Sequence, residues 1–106
     1  IILNVIGGLK ISEPAADLGI ALAIASSYRD LPVDPALAAV GEVGLNGEIR
    51  AVSQPERRVA EAARLGFKRC LVPNSRTRLK APDGIELIPV ANVREAIQVG
   101  LVRGAA

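Results

Sequence analysis

A chain of 106 residues and 11.0 kDa is one domain's length, and with 50% hydrophobic residues and a mean hydropathy of +0.33 it can build one real core. Tyr28 and Phe67 are its only aromatic residues, it has no His, and Cys70 is its single Cys; this excludes Ser-His and Cys-His nucleophile pairs, an ordinary catalytic zinc site and an internal disulfide, and a base-stacking platform would have to manage with two aromatics. The formal charge of +2 is divided unevenly. Residues 1–53 hold three basic and six acidic groups, whereas residues 54–106 hold ten basic and five acidic, so the C-terminal half fits either an ordinary solvated surface or a polyanion partner.

Ile1–Ile6 is a short apolar run stopped by Gly7-Gly8, which predicts a buried strand. Ser12-Glu13-Pro14 opens a helix expected to reach about Tyr28, with Ser12 as its cap and an acid and a proline in its first turn. The helix is apolar nearly all round, so a buried central position is expected. Two prolines make Asp30–Pro35 a loop. Ala36–Leu45 reads as a second buried strand, Asn46-Gly47 as a hairpin turn, and Glu48–Val52 as the return strand, with Ile49 and Ala51 on one face. Ser53-Gln54-Pro55-Glu56 reads as a capping box opening a helix to about Leu65, closed by Gly66. Phe67–Val72 is a strand ended by Pro73, residues 74–84 are a polar, basic loop with some extended structure, and Ile85–Val90 is a further strand. Asn92-Val93-Arg94-Glu95 is a second capping box, with a helix to about Val102. The pattern is a layered domain of α+β or α/β class.

The longest uninterrupted apolar run, Leu18–Ala25, is eight residues and far too short to cross a bilayer, and no signal peptide is visible. A soluble cytoplasmic chain is expected. There is no Met, so the chain is expected to be a piece of a longer protein.

Few constellations could carry chemistry. Gly7–Ser12 precedes a helix, but it lacks the first Gly of a phosphate loop and Lys10 is not followed by Ser or Thr, so a strand-to-helix turn accounts for it. Ser12 and Lys10 can be drawn as a Ser-Lys pair, although the cap explains Ser12 better. Glu42, inside an apolar run, either faces out or lies polar in a cleft. Cys70 reads as a small core residue. Arg57, Glu61, Arg64 and Lys68 follow helical spacing away from Val59, Ala62, Ala63 and Leu65. Arg76, Arg78 and Lys80 alternate, so an extended segment points them one way. Both sets fit a solvated face or a phosphate-tracking surface.

The run Asn4–Leu18 (NVIGGLKISEPAADL) resembles the C-terminal Lon-protease-like domain of bacterial RadA (Sms) proteins. The resemblance continues through Ala23–Ser27, Pro32-Val33, Gly41–Leu45, Gly47–Val52 and Ala62–Phe67, and so covers essentially residues 1–106 as one partial Lon-like domain. It implies an α+β Lon proteolytic-domain-like layered fold with a mixed sheet and a buried central helix. It also implies a parent protein that is a DNA repair and recombination ATPase, with ATP, Mg and zinc bound in domains outside these residues and no cofactor or metal within them. In the Lon pattern the nucleophilic Ser stands where this chain has Ala15, and counting from Gly41-Glu42-Val43 through the hairpin brings Glu56 to the Lys position. Both dyad groups are therefore replaced, and a Ser-Lys mechanism needs a hydroxyl and an amine of lowered pKa.

The implied function is a non-catalytic scaffold that helps assemble a ring, hexameric in the full-length protein, and binds DNA phosphates without sequence preference in a bacterial, nucleoid-associated setting, with no membrane partner. The DNA-binding candidates are Arg57, Arg64, Lys68, Arg76, Arg78 and Lys80. The alternatives are a Lon-like peptidase with a displaced dyad and a pure protein-interaction module.

Overall fold

The computed structural model describes residues 14–74 and 79–102. A 3-10 turn, Pro14–Ala16, leads into helix α1, Asp17–Arg29. Strand β1, Leu37–Ala39, is followed by a hairpin of β2, Glu42–Val43, and β3, Ile49–Arg50. Helix α2, Pro55–Arg64, strand β4, Arg69–Pro73, strand β5, Glu86–Val90, and helix α3, Val93–Gly100, complete the order.

Class and layering are those of an α+β domain, with its pairing split between two sheets. Strands β1, β4 and β5 form a parallel sheet in which β4 is central, and β2 and β3 pair antiparallel apart from it. A parallel sheet needs cover on both faces, and β4 shows why. Successive side chains leave a strand on opposite faces. Cys70 and Val72 pack with Val59 and Ala62 of α2 and with Ile85, whereas Leu71 packs with Leu18 and Leu22 of α1, Ala96 of α3 and Val90. Two cores thus back onto one sheet, and Cys70 and Leu71, both fully buried, mark its centre.

The single strand expected over Ala36–Leu45 is broken in two. Val40 N–H still bonds the carbonyl of Leu71 (2.9 Å), but Gly41 turns away, donating to Ala15 O (3.1 Å) and accepting from Leu18 N–H (3.0 Å). The start of α1 thus occupies the backbone that would have continued the ladder, and Asp17 fastens the same junction by accepting from Val43 N–H (3.2 Å). The hairpin turn forms at the expected place. Gly47 N–H bonds Gly44 O (3.0 Å), Gly47 takes φ +79°, and Gly44 N–H bonds Glu48 O (2.8 Å), a three-residue loop with a glycine bulge. The return strand stops at Arg50, leaving Ile49 buried and Ala51 exposed.

Helix α1 is central, but its burial is confined to one stripe. Leu18 and Leu22 are sealed in, whereas Ile24 is 50% and Tyr28 91% exposed. At its end Asp30 takes a left-handed φ of 55° and donates to Ser26 O. Helix α2 closes as its sequence promises: Gly66 (φ +96°) donates to Ala63 O and Phe67 N–H to Ala62 O, a Schellman pair. Its expected capping box does not form. Gln54, not Ser53, is the N-cap, at φ 51° and with no capping bond from its side chain, and Ser53 instead receives the Arg58 guanidinium on its carbonyl (2.8 Å) and hydroxyl (3.4 Å). The second box forms with a shift: Asn92 accepts from Glu95 N–H (2.9 Å), and Glu95 reaches back to Ala91 N–H (2.7 Å). Helix α3 ends at Gly100, before the expected Val102, because Leu101 bridges Val33 and Val102 N–H bonds Pro32 O (2.8 Å). The Ile1–Ile6 strand and Ser12 cap lie outside the described residues.

Candidate nucleic-acid interface

Helix α2 supplies the interface's densest charge. Val59 and Ala62 turn into the core, so helical spacing throws Glu56, Arg57, Glu61 and Arg64 into solvent, with Arg58 half-buried beside them. A depression of about 550 Å³ is lined by Gln54, Arg57, Arg58 and Glu61. Arg57 reaches across it to Gln54 Oε1 (3.4 Å), a neutral partner, while its charge also helps to hold the Glu61 carboxyl low. Arg64 is held differently. Its Nε donates to Glu61 Oε2 (3.0 Å) and its Nη2 to Glu61 Oε1, a bidentate fork three residues apart. That bond to Arg64 holds the Glu61 carboxyl below the usual carboxylate range and raises Arg64 in return.

Beyond the helix, Lys68 stands exposed just ahead of β4. Leu79 packs on the core cluster that α2 covers, and Lys80 beside it is exposed. Arg76 and Arg78 lie outside the described residues. Of the six candidate contacts, Arg57, Arg64, Lys68 and Lys80 are therefore solvent-facing, and Arg64 already has an acidic partner.

The two positions of the Lon pattern sit in contrasting places. Ala15 is 6% exposed in the 3-10 turn, within the cluster of Val40, Val59, Ala62 and Cys70. Glu56 is exposed in the first turn of α2. Glu42 is half-buried on β2, in register with Arg50, which forks instead onto Glu48 (3.2 and 2.9 Å). Cys70 is a core residue whose thiol burial pushes up to about 11. Ser12 and Lys10 lie outside the described residues. Among the described residues, no group of three or more His, Cys, Asp or Glu is placed to hold a metal ion, and no helix is long and apolar enough to cross a membrane.

Sequence reading missed two charged groups that the fold uses. Arg58 had no assigned role, although its place one residue after Arg57 put it beside the basic stripe. Asp34 was read only as part of a loop. It is buried, takes the Arg69 guanidinium, and accepts from Ala36 N–H (2.9 Å), while its own N–H bonds Gly100 O (2.8 Å). The Asp-Pro dipeptide signals the turn, but nothing local signals the partner on β4.

The family described as subunit ChlI of Mg-chelatase matches residues 1–76. The chain is 54% identical over 100 residues to DNA repair protein RadA of Bacillus subtilis, covering 93% of this chain and 22% of that protein. It is 52% identical to the RadA of Synechocystis (93% and 19% covered) and 43% identical to that of Escherichia coli (93% and 22%). The chain thus spans about a fifth of the length of the curated relatives it matches.

Proposed function

The chain belongs to the family described as subunit ChlI of Mg-chelatase, and from that premise we propose that it is the Lon-like, non-catalytic domain of a RadA-type DNA repair ATPase, serving as a ring-forming scaffold and a sequence-indifferent DNA surface. The observation that carries the reading is its 54% identity, over nearly its whole length, to a protein named DNA repair protein RadA. ATP, Mg and zinc belong in this proposal to the rest of the longer protein.

The loss of peptidase chemistry is supported by the two dyad positions. Alanine at 15 offers no nucleophile, and its apolar surroundings of Val40 and Val59 supply no base. Glutamate at 56 carries the wrong charge to stand in for a lysine. DNA contact is supported by the exposure of Arg57 on α2, of Lys68 just ahead of β4 and of Lys80. Arginine forks meet phosphate oxygens bidentately, and with two aromatic residues in the whole chain the backbone is the feature of DNA the surface can engage. A ring requires two different patches of one subunit to meet, and the acidic and basic halves of the chain supply complementary ones.

The test is fluorescence anisotropy with two labelled duplexes of unrelated sequence. The proposal expects equal affinities, micromolar or weaker, and a slope of log K against log salt of roughly −3 to −5, for about three to five neutralised phosphates. A strong preference for one duplex, or no salt dependence, would overturn it.

A further inference from the structure

Glu61 stands at the junction of the arginines on α2. It follows Arg57 by four residues and Arg58 by three and lines the same depression as both, yet its two carboxylate oxygens are turned to Arg64. The geometry that Arg64 presents to Glu61, two parallel N–H donors on one carboxylate, is the geometry with which a guanidinium takes a phosphate. Both side chains are exposed, 69% for Arg64 and 54% for Glu61, and exposed pairs of this kind are weak and exchangeable.

We propose that Glu61 is an internal stand-in for phosphate: it occupies the Arg64 fork and sets its own negative charge at the edge of the Arg57–Arg58 depression, holding the DNA affinity of α2 below what its three arginines would give. The inference rests on the DNA-binding reading above and adds to it a residue that tunes the surface. It follows that Arg64 contributes little to binding while Glu61 is present. Removing the carboxylate has two effects. It frees a fork with the correct donor geometry, and it lifts a like charge from the path of the incoming phosphate.

Four versions of the 106-residue chain test this by anisotropy with a labelled duplex: wild type, Glu61→Gln, Arg64→Ala and the double variant. Glu61→Gln is expected to bind about threefold to tenfold tighter at about 50 mM salt, with a salt slope steeper by about 0.9 for one further phosphate contact. Arg64→Ala alone should change affinity by less than about twofold, whereas in the Glu61→Gln background it should erase most of the gain and return the slope to the wild-type value. Glu56→Gln, which removes the same unit of charge from the first turn of α2 without opening the Arg64 fork, should give a smaller gain and leave the slope nearly unchanged. Urea midpoints of all variants confirm that each is folded, as exposed positions allow.

If the wild type binds and Glu61→Gln binds no tighter, or if Arg64→Ala weakens the wild type as much as it weakens Glu61→Gln, the stand-in role is wrong and the DNA reading survives. If neither wild type nor Glu61→Gln binds DNA, both fall.

Discussion

Gly41→Ala tests the junction on which the fold turns. Gly41 is not in the left-handed region, so alanine can adopt its backbone conformation, and the substitution alone would stabilise by about 0.4–1 kcal/mol by restricting the unfolded chain. Against this stands space. A Cβ on Gly41 would lie 2.8 Å from Ile49 Cγ2, with Leu18 Cδ2 at 3.4 Å and Leu18 Cβ at 3.6 Å. Ile49 and Leu18 are buried and stiffly held, and Gly41 cannot retreat, because its N–H and C=O are both bonded to the start of α1. Overpacking of this kind costs about 1–3 kcal/mol, so a net loss of about 1–2 kcal/mol is expected. The assay is urea unfolding followed by circular dichroism, with the midpoint falling at unchanged slope. The offending atom is the β-branch of Ile49, which leucine lacks. Ile49→Leu should therefore cost less in the Gly41→Ala background than in wild type, and the cycle isolates that contact. A Gly41→Ala chain as stable as wild type, or a cycle with no coupling, would refute the steric account.

Asp34→Ala is expected to cost about 2 kcal/mol, between the values of exposed and buried pairs because Arg69 is 41% exposed and can rehydrate; Asp34→Asn, which keeps an acceptor for Ala36 N–H, should cost about half as much by the same urea assay. The Glu48 carboxyl is held low by its own backbone N–H first, then by Arg50 and by Asn46 N–H. A lowered carboxylate contributes stability that is present above the ordinary value of 4.5 and is lost as pH falls through the lowered one. The gap in urea midpoint between wild type and Glu48→Gln should therefore narrow as pH falls below 4.5, and a gap that widens would refute the assignment. With its thiol raised to about 11 and fully buried, Cys70 should resist Ellman's reagent at a pH of about 8 until urea unfolds the chain, where an ordinary thiol of pKa near 8.5 would react at once.

Features with a local cause were legible in the sequence. Gly66 after an amphipathic run closes α2, Asn92 with Glu95 opens α3, and Asn46-Gly47 turns the hairpin, each by bonds within a few residues. What failed was long-range. Ala36–Leu45 is apolar throughout, and only the arrival of Ala15 and Leu18 at Gly41 explains its division into two sheets. Ser53 has the right spacing for a cap, but Arg58 claims it. Helix α1 looks apolar on every side, yet the fold covers one stripe and leaves Tyr28 in water. In the candidate interface, the exposure of Arg57, Arg64, Lys68 and Lys80 follows from helical spacing and polarity. The fork of Arg64 on Glu61 was within reach of the three-residue spacing, whereas the partnership of Asp34 with Arg69 joins residues 35 apart and has no local signature.

The central claim, that the basic half of the chain tracks DNA phosphates, is tested most directly by replacing Arg76, Arg78 and Lys80 together with alanine and repeating the salt titration on duplexes of unrelated sequence. The account predicts weaker binding to all sequences alike and a slope of log K against log salt shallower by up to about three. A triple variant that binds as tightly as wild type at every salt concentration would contradict it.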